Sequence, residues 1–392
     1  MQADRKLFTL VAILIGVSIV LTYSLTTYTV LLFKVNEYHF VLRQAIFGIL
    51  SLGIMWTLAQ LDPDVWLKRI GLGLFIVSFV AMLFMPFLPE SLVHAVGGAK
   101  RWIKLGFISL APVEFFKIGF VYFLAWSFPR KIVNKVNKSL KDELKLILPY
   151  GVLFIFVMFV IAFLQKDLGQ VVVLGITFLF MLLFAGSSFR LFLALLSAAF
   201  VFFIFFIVSA EHRILRIKSW WALAQNTVLE FFPDFIAQKL RIPTEVEPYQ
   251  IGHSLNAIHN GGFFGVGLGE GTFKLGFLSE VHTDFVLAGL AEEFGFVGVM
   301  FVVFIFLAIL HRIFKIANRA EDKSMYLFSL GVGLLLAFAF LMNAYGISGI
   351  TPIKGISVPF LSYGGSAILG ASFGVGMVLM ISNKVDLKGK IE

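Results

Sequence analysis

The chain alternates long apolar runs with short polar breaks. A helix rises 1.5 Å per residue, so about 20 apolar residues carry it across the hydrocarbon layer. Runs of that order lie at 8–33, 40–61, 66–87, 112–129, 146–164, 169–187, 189–209, 284–310, 325–346 and 365–382. The pattern predicts an all-α polytopic membrane protein of about ten transmembrane helices, with 1–392 forming one domain. The first run is too long for a signal-peptide core and ends at no small-residue cleavage site, so it is expected to stay as a span. No internal repeat or low-complexity tract interrupts the series.

The breaks have two characters. Segments 1–7, 62–69, 130–145, 188–190, 311–324 and 383–392 hold 18 of the 32 Lys and Arg residues in under a fifth of the chain. Arg130 to Lys145 alone holds six. Positive charge is retained on the cytoplasmic side, so both termini are expected there. The alternate segments, about 88–111, 210–283 and 347–364, then face outward. The second is the one long external loop. It carries short apolar stretches such as Leu229–Ile236 and glycine-rich turns at Asn260-Gly261-Gly262 and Gly265-x-Gly267-x-Gly269. Long ordered loops are usually functional.

Composition narrows the class further. Charged residues make up 14% and hydrophobic ones 59%, against roughly 25% charged in soluble domains. Phe alone numbers 47, more than one soluble core could bury, and a water-exposed surface of this kind would aggregate. The net charge of +9 is scattered between apolar runs, which argues for membrane topology over nucleic-acid binding. The absence of cysteine excludes disulfides and thiolate metal sites.

Ionisable groups in or beside a bilayer are expensive and therefore candidates for function. On the outer side these are Arg43, Lys100, Arg101, Lys104, Glu114, Lys117, Asp167, His282, Asp284 and Lys354, with Glu292 and Glu293 about two helical turns beyond Asp284. Each has a structural reading too. Glu114 and Lys117 share a helix face and could simply pair. Asp284 could serve a helix dipole. Lys100, Arg101 and Lys104 could meet anionic headgroups, and Glu292 and Glu293 are expected to be structural. Their convergence on one face favours a cavity for an anionic, lipid-borne substrate. The glycine pattern lacks a βαβ context, so it is no dinucleotide fingerprint. P-loop, zinc-protease and nucleophile-elbow motifs are missing.

Several stretches resemble the SEDS family (shape, elongation, division and sporulation), which includes FtsW and RodA. They are Arg43-Gln44, Gly97-Gly98-Ala99-Lys100-Arg101-Trp102-Ile103, Pro112-Val113-Glu114-x-x-Lys117, Gln165-Lys166-Asp167-Leu168-Gly169, and Tyr249-Gln250 with Ser254. The most specific are the glycine run 261–269, His282-Thr283-Asp284-Phe285 with Ala291-Glu292-Glu293-Phe294-Gly295, and Pro359-Phe360-Leu361-Ser362-Tyr363-Gly364-Gly365-Ser366. Their order spans nearly the whole chain. Departures are Ala111 and Val113 where the family has Gln and Ser, Lys166 where it has Pro, His253 where it often has Gln, and a longer Trp221–Glu247 stretch. Thr351-Pro352-Ile353-Lys354-Gly355 looks more like the division type than the elongation type.

The resemblance implies a peptidoglycan glycan-strand polymerase in the bacterial inner membrane with its site on the periplasmic face. Its substrate would be lipid II and its leaving group undecaprenyl pyrophosphate, displaced with inversion. Asp284 would be the base. Arg43, Lys100, Arg101, Glu114, Lys117, Gln250, Ser254, His282, Thr283, Lys354, Ser362 and Tyr363 would bind substrate or pyrophosphate. No cofactor follows from the residues, although a divalent cation (Mg or Mn) could share the pyrophosphate charge. Implied partners are a class B penicillin-binding protein (a transpeptidase), other divisome or elongasome proteins, and membrane lipid, with no nucleic acid. Two other classes stay open: a lipid II flippase, which would want charge continuing across the membrane, and a non-catalytic scaffold for a transpeptidase.

Overall fold

The computed structural model describes residues 3–96, 99–106, 108–131, 139–208, 211–242, 249–353 and 355–386. Lys354 and residues 132–138 of the basic segment 130–145 lie outside them. The helices are α1 (Arg5–Leu25), α2 (Thr27–Phe33), α3 (His39–Leu58), α4 (Pro63–Phe84), α5 (Pro112–Lys131), α6 (Leu140–Phe159) and α7 (Leu168–Phe184), followed by α8 (Phe189–Val208), α9 (Glu211–Leu229), α10 (Asp234–Leu240), α11 (Tyr249–Gly261), α12 (Val286–Asn318), α13 (Lys323–Ile347) and α14 (Gly365–Ser382). Among the described residues seven are long and apolar enough to cross a membrane, and α7 and α8 are shorter apolar helices. α5, whose apolar run is broken by Glu114 and Lys117, completes ten.

Local chemistry sets the boundaries. Asp4, Asp62, Asp167 and Asp322 each accept hydrogen bonds from the first free amides of α1, α4, α7 and α13, satisfying donors that a helix start leaves unpaired. The first apolar run is two helices, because the chain breaks at Thr26 and none of α2 is buried. α13 and α14 are central: 78% of the α14 span is buried in protein, against 22% for α4. The abundant Phe serves two purposes. Some residues, such as Phe200, Phe205 and Phe304, stay exposed on the rim, where lipid is the natural solvent. Others stack between α4 and α5, where Phe75 meets Phe116, Phe120 and Phe123 with ring centroids 4.9–6.3 Å apart.

Ion pairs lock one end of the bundle. Asp4 pairs with Arg312 at 2.5 Å, its amide meets Ser382 Oγ at 3.0 Å, and Lys384 pairs with Asp62 and Asp64. The starts of α1 and α4 and the ends of α12 and α14 thus share a face. At the other end lies an element the all-α expectation omitted. Within 93–110 an antiparallel sheet forms from β1 (Val93–Val96), β2 (Ala99–Leu105) and β3 (Ile108–Leu110) in order β1-β2-β3. It is stapled to α14 through Ser366, whose Oγ accepts from Ala111 N at 2.9 Å and donates to Ser109 O at 3.1 Å. The described parts of the long loop are held as well. Trp220 Nε1 donates to Gly349 O at 2.7 Å and Trp221 Nε1 to Leu240 O at 2.8 Å.

Candidate active site

The site is built around the N-terminal end of α12. This helix is not continuous. Gly295 has φ 65° and ψ −165°, which interrupts the backbone ladder and frees carbonyls and amides that lipid cannot satisfy. The glycine-rich loop satisfies them. Val266 N and Gly267 N donate to Glu292 O and Glu293 O, both at 3.0 Å, while Phe296 N and Val297 N donate to Gly262 O (3.0 Å) and Phe263 O (3.2 Å). A Cβ at Gly265 would lie 2.2 Å from Glu293 O, and one at Gly295 would lie 2.3 Å from Gly265 N. The two chains can approach this closely only as glycine.

The two glutamates at the break finish the joint. Glu292 Oε1 accepts from Asn260 Nδ2, Thr272 N, Thr272 Oγ1 and Phe273 N at 2.7–3.2 Å. Glu293 Oε1 accepts from Lys274 Nζ at 2.7 Å and Ser24 Oγ at 2.5 Å. Glu293 and Lys274 are 1% and 3% exposed, so each neutralises a charge that would otherwise be very costly there. Both glutamates thus hold the loop onto α12 and α1.

That anchored loop delivers Asp284. Glu280 sits at φ 54°, and its carbonyl accepts from Thr283 N, Asp284 N and Phe285 N at 3.0–3.4 Å. The resulting turn presents Asp284 just ahead of α12. Among the described residues no hydrogen bond reaches its carboxylate. Burial, with help from the negative charges of Glu280 and Asp167 and against the pull of Arg101, raises its pKa to about 6. A carboxylate poised near neutrality and left without hydrogen bonds suits a general base.

The cations and carboxylates of three other elements converge here. Arg101 on β2 is fixed by Gln165 O at 2.8 Å and Lys166 O at 2.7 Å, and stands 3.9 Å from Asp167. Asp167, itself raised by burial against the opposing Arg101 charge, caps α7 through Gln170 N at 3.3 Å. Gln170 Nε2 reaches Glu114 Oε1 at 2.9 Å, and Glu114 pairs with Lys117 at 2.8 Å on the first turns of α5. The side-chain amide of Gln165 is buried, and among the described residues neither of its polar atoms has a hydrogen-bond partner.

From the other side come the residues around His282. Its ring packs against Phe40 and Tyr363 at 5.6 and 5.4 Å, and burial lowers its proton affinity despite Glu280 at 4.0 Å. Arg43 of α3 hydrogen-bonds the Tyr363 side chain. Thr283 Oγ1 donates to Glu280, whose Oε2 stands 3.1 Å away. Ser362 Oγ donates to Thr283 O at 2.6 Å and accepts from Val358 N at 2.8 Å, and Tyr363 N donates to His282 O at 2.8 Å. Thr283, Ser362 and Tyr363 therefore lock the turn that carries Asp284.

Three expected binding residues stand apart. Lys100 spends its ammonium on Pro86 O and Leu88 O at 3.0 and 2.8 Å, closing the turn after α4. Gln250 bonds Ser279 Oγ at 2.9 Å and Ser254 bonds Ile347 O at 2.9 Å; both tether the long loop. The fourth, Lys354, lies outside the described residues. Sequence reasoning missed Glu280, Asn343 and Lys274, and used Gln44 only as a motif letter. Gln44 is fully buried and binds Ser18 Oγ at 2.7 Å and Ser362 O at 3.2 Å. A polar residue inside an apolar run was the one signal that could have found Gln44 and Asn343.

Among the described residues no three His, Asp or Glu side chains stand together as a metal site. The carboxylates nearest Asp284 are already engaged, Glu280 with Thr283 and Asp167 with Arg101 and Gln170. The described residues supply no protein-built cage for a divalent cation.

Comparison with known proteins gives consistent relatives. A family model for cell cycle proteins of the FtsW, RodA and SpoVE kind matches residues 5–387. A Helicobacter pylori protein named "Probable peptidoglycan glycosyltransferase FtsW" is 48% identical over 383 residues, covering 97% of this chain and 99% of that one. A protein of the same name from Haemophilus influenzae is 31% identical over 389 residues, covering 97% and 90%. Among solved structures, the rod shape determining protein RodA of Thermus thermophilus superposes with a TM-score of 0.64 at 21% identity, covering 98% of each chain. A chain from a peptidoglycan synthase complex superposes at 0.70 with 23% identity, covering 97% and 98%.

Proposed function

The chain belongs to the FtsW/RodA/SpoVE family of multi-pass membrane proteins, and from that premise we propose that it is a peptidoglycan glycosyltransferase of the FtsW kind, extending glycan strands from lipid II during division. The observation that carries the mechanism is Asp284: a carboxylate that accepts no hydrogen bond from the described residues, at the outer mouth of α12, its pKa raised to about 6, within the electrostatic reach of Arg101.

Glycan extension needs a sugar hydroxyl to attack the anomeric carbon of a glycosyl pyrophosphate. Asp284 takes the hydroxyl proton as the C–O bond forms. The bond to pyrophosphate breaks on the opposite face, so the configuration inverts. Negative charge grows on the departing pyrophosphate, and preorganised cations lower the barrier by meeting it without reorganisation. Arg101 is already oriented by two carbonyls. Lys117 is oriented by Glu114, and Arg43 by Tyr363. The polyprenyl chain stays in lipid along the apolar rim, so only the headgroup enters the polar mouth. This reading puts the site on the external face, opposite the Asp4–Arg312 end. It also makes a transpeptidase the natural partner, since polymer and crosslink are made on the same strand.

Purified protein, alone and with its transpeptidase, incubated with lipid II in detergent tests the reading. A polymerase makes glycan strands there. A flippase or scaffold makes none, because detergent offers no second leaflet and a scaffold has no chemistry. Polymer from wild type that persists unchanged in the Asp284→Asn protein would remove Asp284 from the mechanism.

A further inference from the structure

Near its outer end α13 buries one amide side chain, Asn343, 4% exposed. Its Nδ2 donates twice, at 2.6 Å to the carbonyl of Asp284 and at 2.7 Å to the carbonyl of Ile356. A side-chain amide has two hydrogens, so both are used. Its Oδ1 is buried without a hydrogen-bond partner among the described residues, a cost that a helix facing only packing would avoid with an apolar residue.

The two carbonyls mark the two walls of one gap. Asp284 bears the reactive carboxylate. Ile356 follows Gly355, which has φ +63°, and a Cβ at Gly355 would lie 3.0 Å from Asp284 Oδ2. That is about the separation at which a hydroxyl oxygen donates to a carboxylate. The glycine thus leaves open a space the size of one heavy atom against the base, and Asn343 ties both sides of it together.

We propose that Asn343 is a positioning residue for glycosyl transfer: its amide clamps the backbone of Asp284 to the Gly355–Ile356 wall and so fixes the slot through which the acceptor hydroxyl reaches the base. This rests on the reading of Asp284 as that base. Asn343 acts through Asp284 and Gly355. Its loss therefore lowers turnover while leaving the remote contacts that bind lipid II in place.

The test is steady-state polymerisation of lipid II by purified Asn343→Leu, Asn343→Asp, Asn343→Gln, Gly355→Ala and Asp284→Asn proteins, normalised to folded protein. Leu removes both donors at similar volume, and Asp turns an acceptor toward two carbonyls. A misplacement of about 1 Å costs on the order of 10²-fold, so kcat is expected to fall about that much in both, with KM for lipid II within about threefold. Gln, which keeps the amide, should recover part of the loss. Gly355→Ala should also lower kcat by filling the slot. A well-folded Asn343→Leu protein with kcat within twofold of wild type, or a loss carried by KM alone, overturns the inference. Should the Asn343 variants fail to fold, wild-type turnover in Gly355→Ala overturns it instead. An active Asp284→Asn protein sinks the base itself, whereas an inactive one beside a normal Asn343→Leu protein sinks only the positioning role.

Discussion

Asp284→Asn should abolish polymerisation and at the same time stabilise the fold. The substitution keeps shape and polarity but removes basicity and charge. Among the described residues no hydrogen bond reaches the carboxylate, so none is lost. The folded-state pKa of about 6 lies above the ordinary carboxylate value of 3.8, so the folded protein binds this proton more tightly than the unfolded chain. Asp284 therefore costs nothing below about pH 4. Its penalty grows as pH rises from about 4 to about 6 and is complete above that. Two pKa units correspond to about 3 kcal/mol. Hydration at the cavity mouth screens part of this, leaving about 1–2 kcal/mol. Polymer length from lipid II should fall by about 10²–10⁴ in rate. Melting in detergent should rise at pH 7.5 and converge with wild type as pH is lowered toward about 4. Near-normal polymer would refute the base. A lower melting temperature at pH 7.5, or an offset that persists at low pH, would refute the electrostatic argument.

Other outcomes follow from the same geometry. The wild-type polymerisation rate should climb with pH and level off above about 6 as Asp284 ionises, and a flat profile between about pH 5 and 7 would exclude that titration. Lys117→Ala should lose far more activity than Lys104→Ala: Lys117 is paired with Glu114 at 2.8 Å in a half-buried setting, whereas the Lys104 ammonium meets, among the described residues, the exposed Glu90 carbonyl at 3.2 Å. Equal, mild losses in well-folded protein would reduce the pair to packing. Gly265→Ala should cut the yield of folded protein sharply, because its methyl would meet Glu293 O at 2.2 Å, and normal yield and melting would contradict the observed joint. Cysteine placed at Phe231 should react with an impermeant reagent in intact cells while cysteine at Lys138 does not, and the reverse would invert the topology.

The spans were legible because lipid imposes a length and an apolarity that few sequences meet by chance. Ionisable candidates were legible because charge beside a bilayer is costly wherever it occurs. Partners were not. Lys100 read as a substrate cation, yet its ammonium closes a turn, since nothing local in a sequence shows which carbonyls lie within reach. Glu292 and Glu293 read as structural, but the strand of chain they hold could not be named. The glycines of 261–269 announced an unusual backbone without revealing that Gly295, some 30 residues on, requires it. Asn343 was passed over because a single amide near a helix end looks ordinary until the two carbonyls it joins are brought together. The small sheet escaped notice because its strands are short and follow no strict alternation.

The break in α12 also bears on how the chain enters the membrane. The loop that completes it, 262–267, precedes the helix in sequence, so it is synthesised before α12 leaves the ribosome. Below the break, 296–318 runs about 34 Å at 1.5 Å per residue, enough for a hydrocarbon layer of about 30 Å. The lower rod is thus long enough to span by itself, while the turn bearing Glu292 and Glu293 depends on the loop for its hydrogen bonds. Spanning the membrane and closing the candidate site thus rest on different contacts. A protein with a damaged loop would then cross the membrane the correct number of times and still never gain a working mouth.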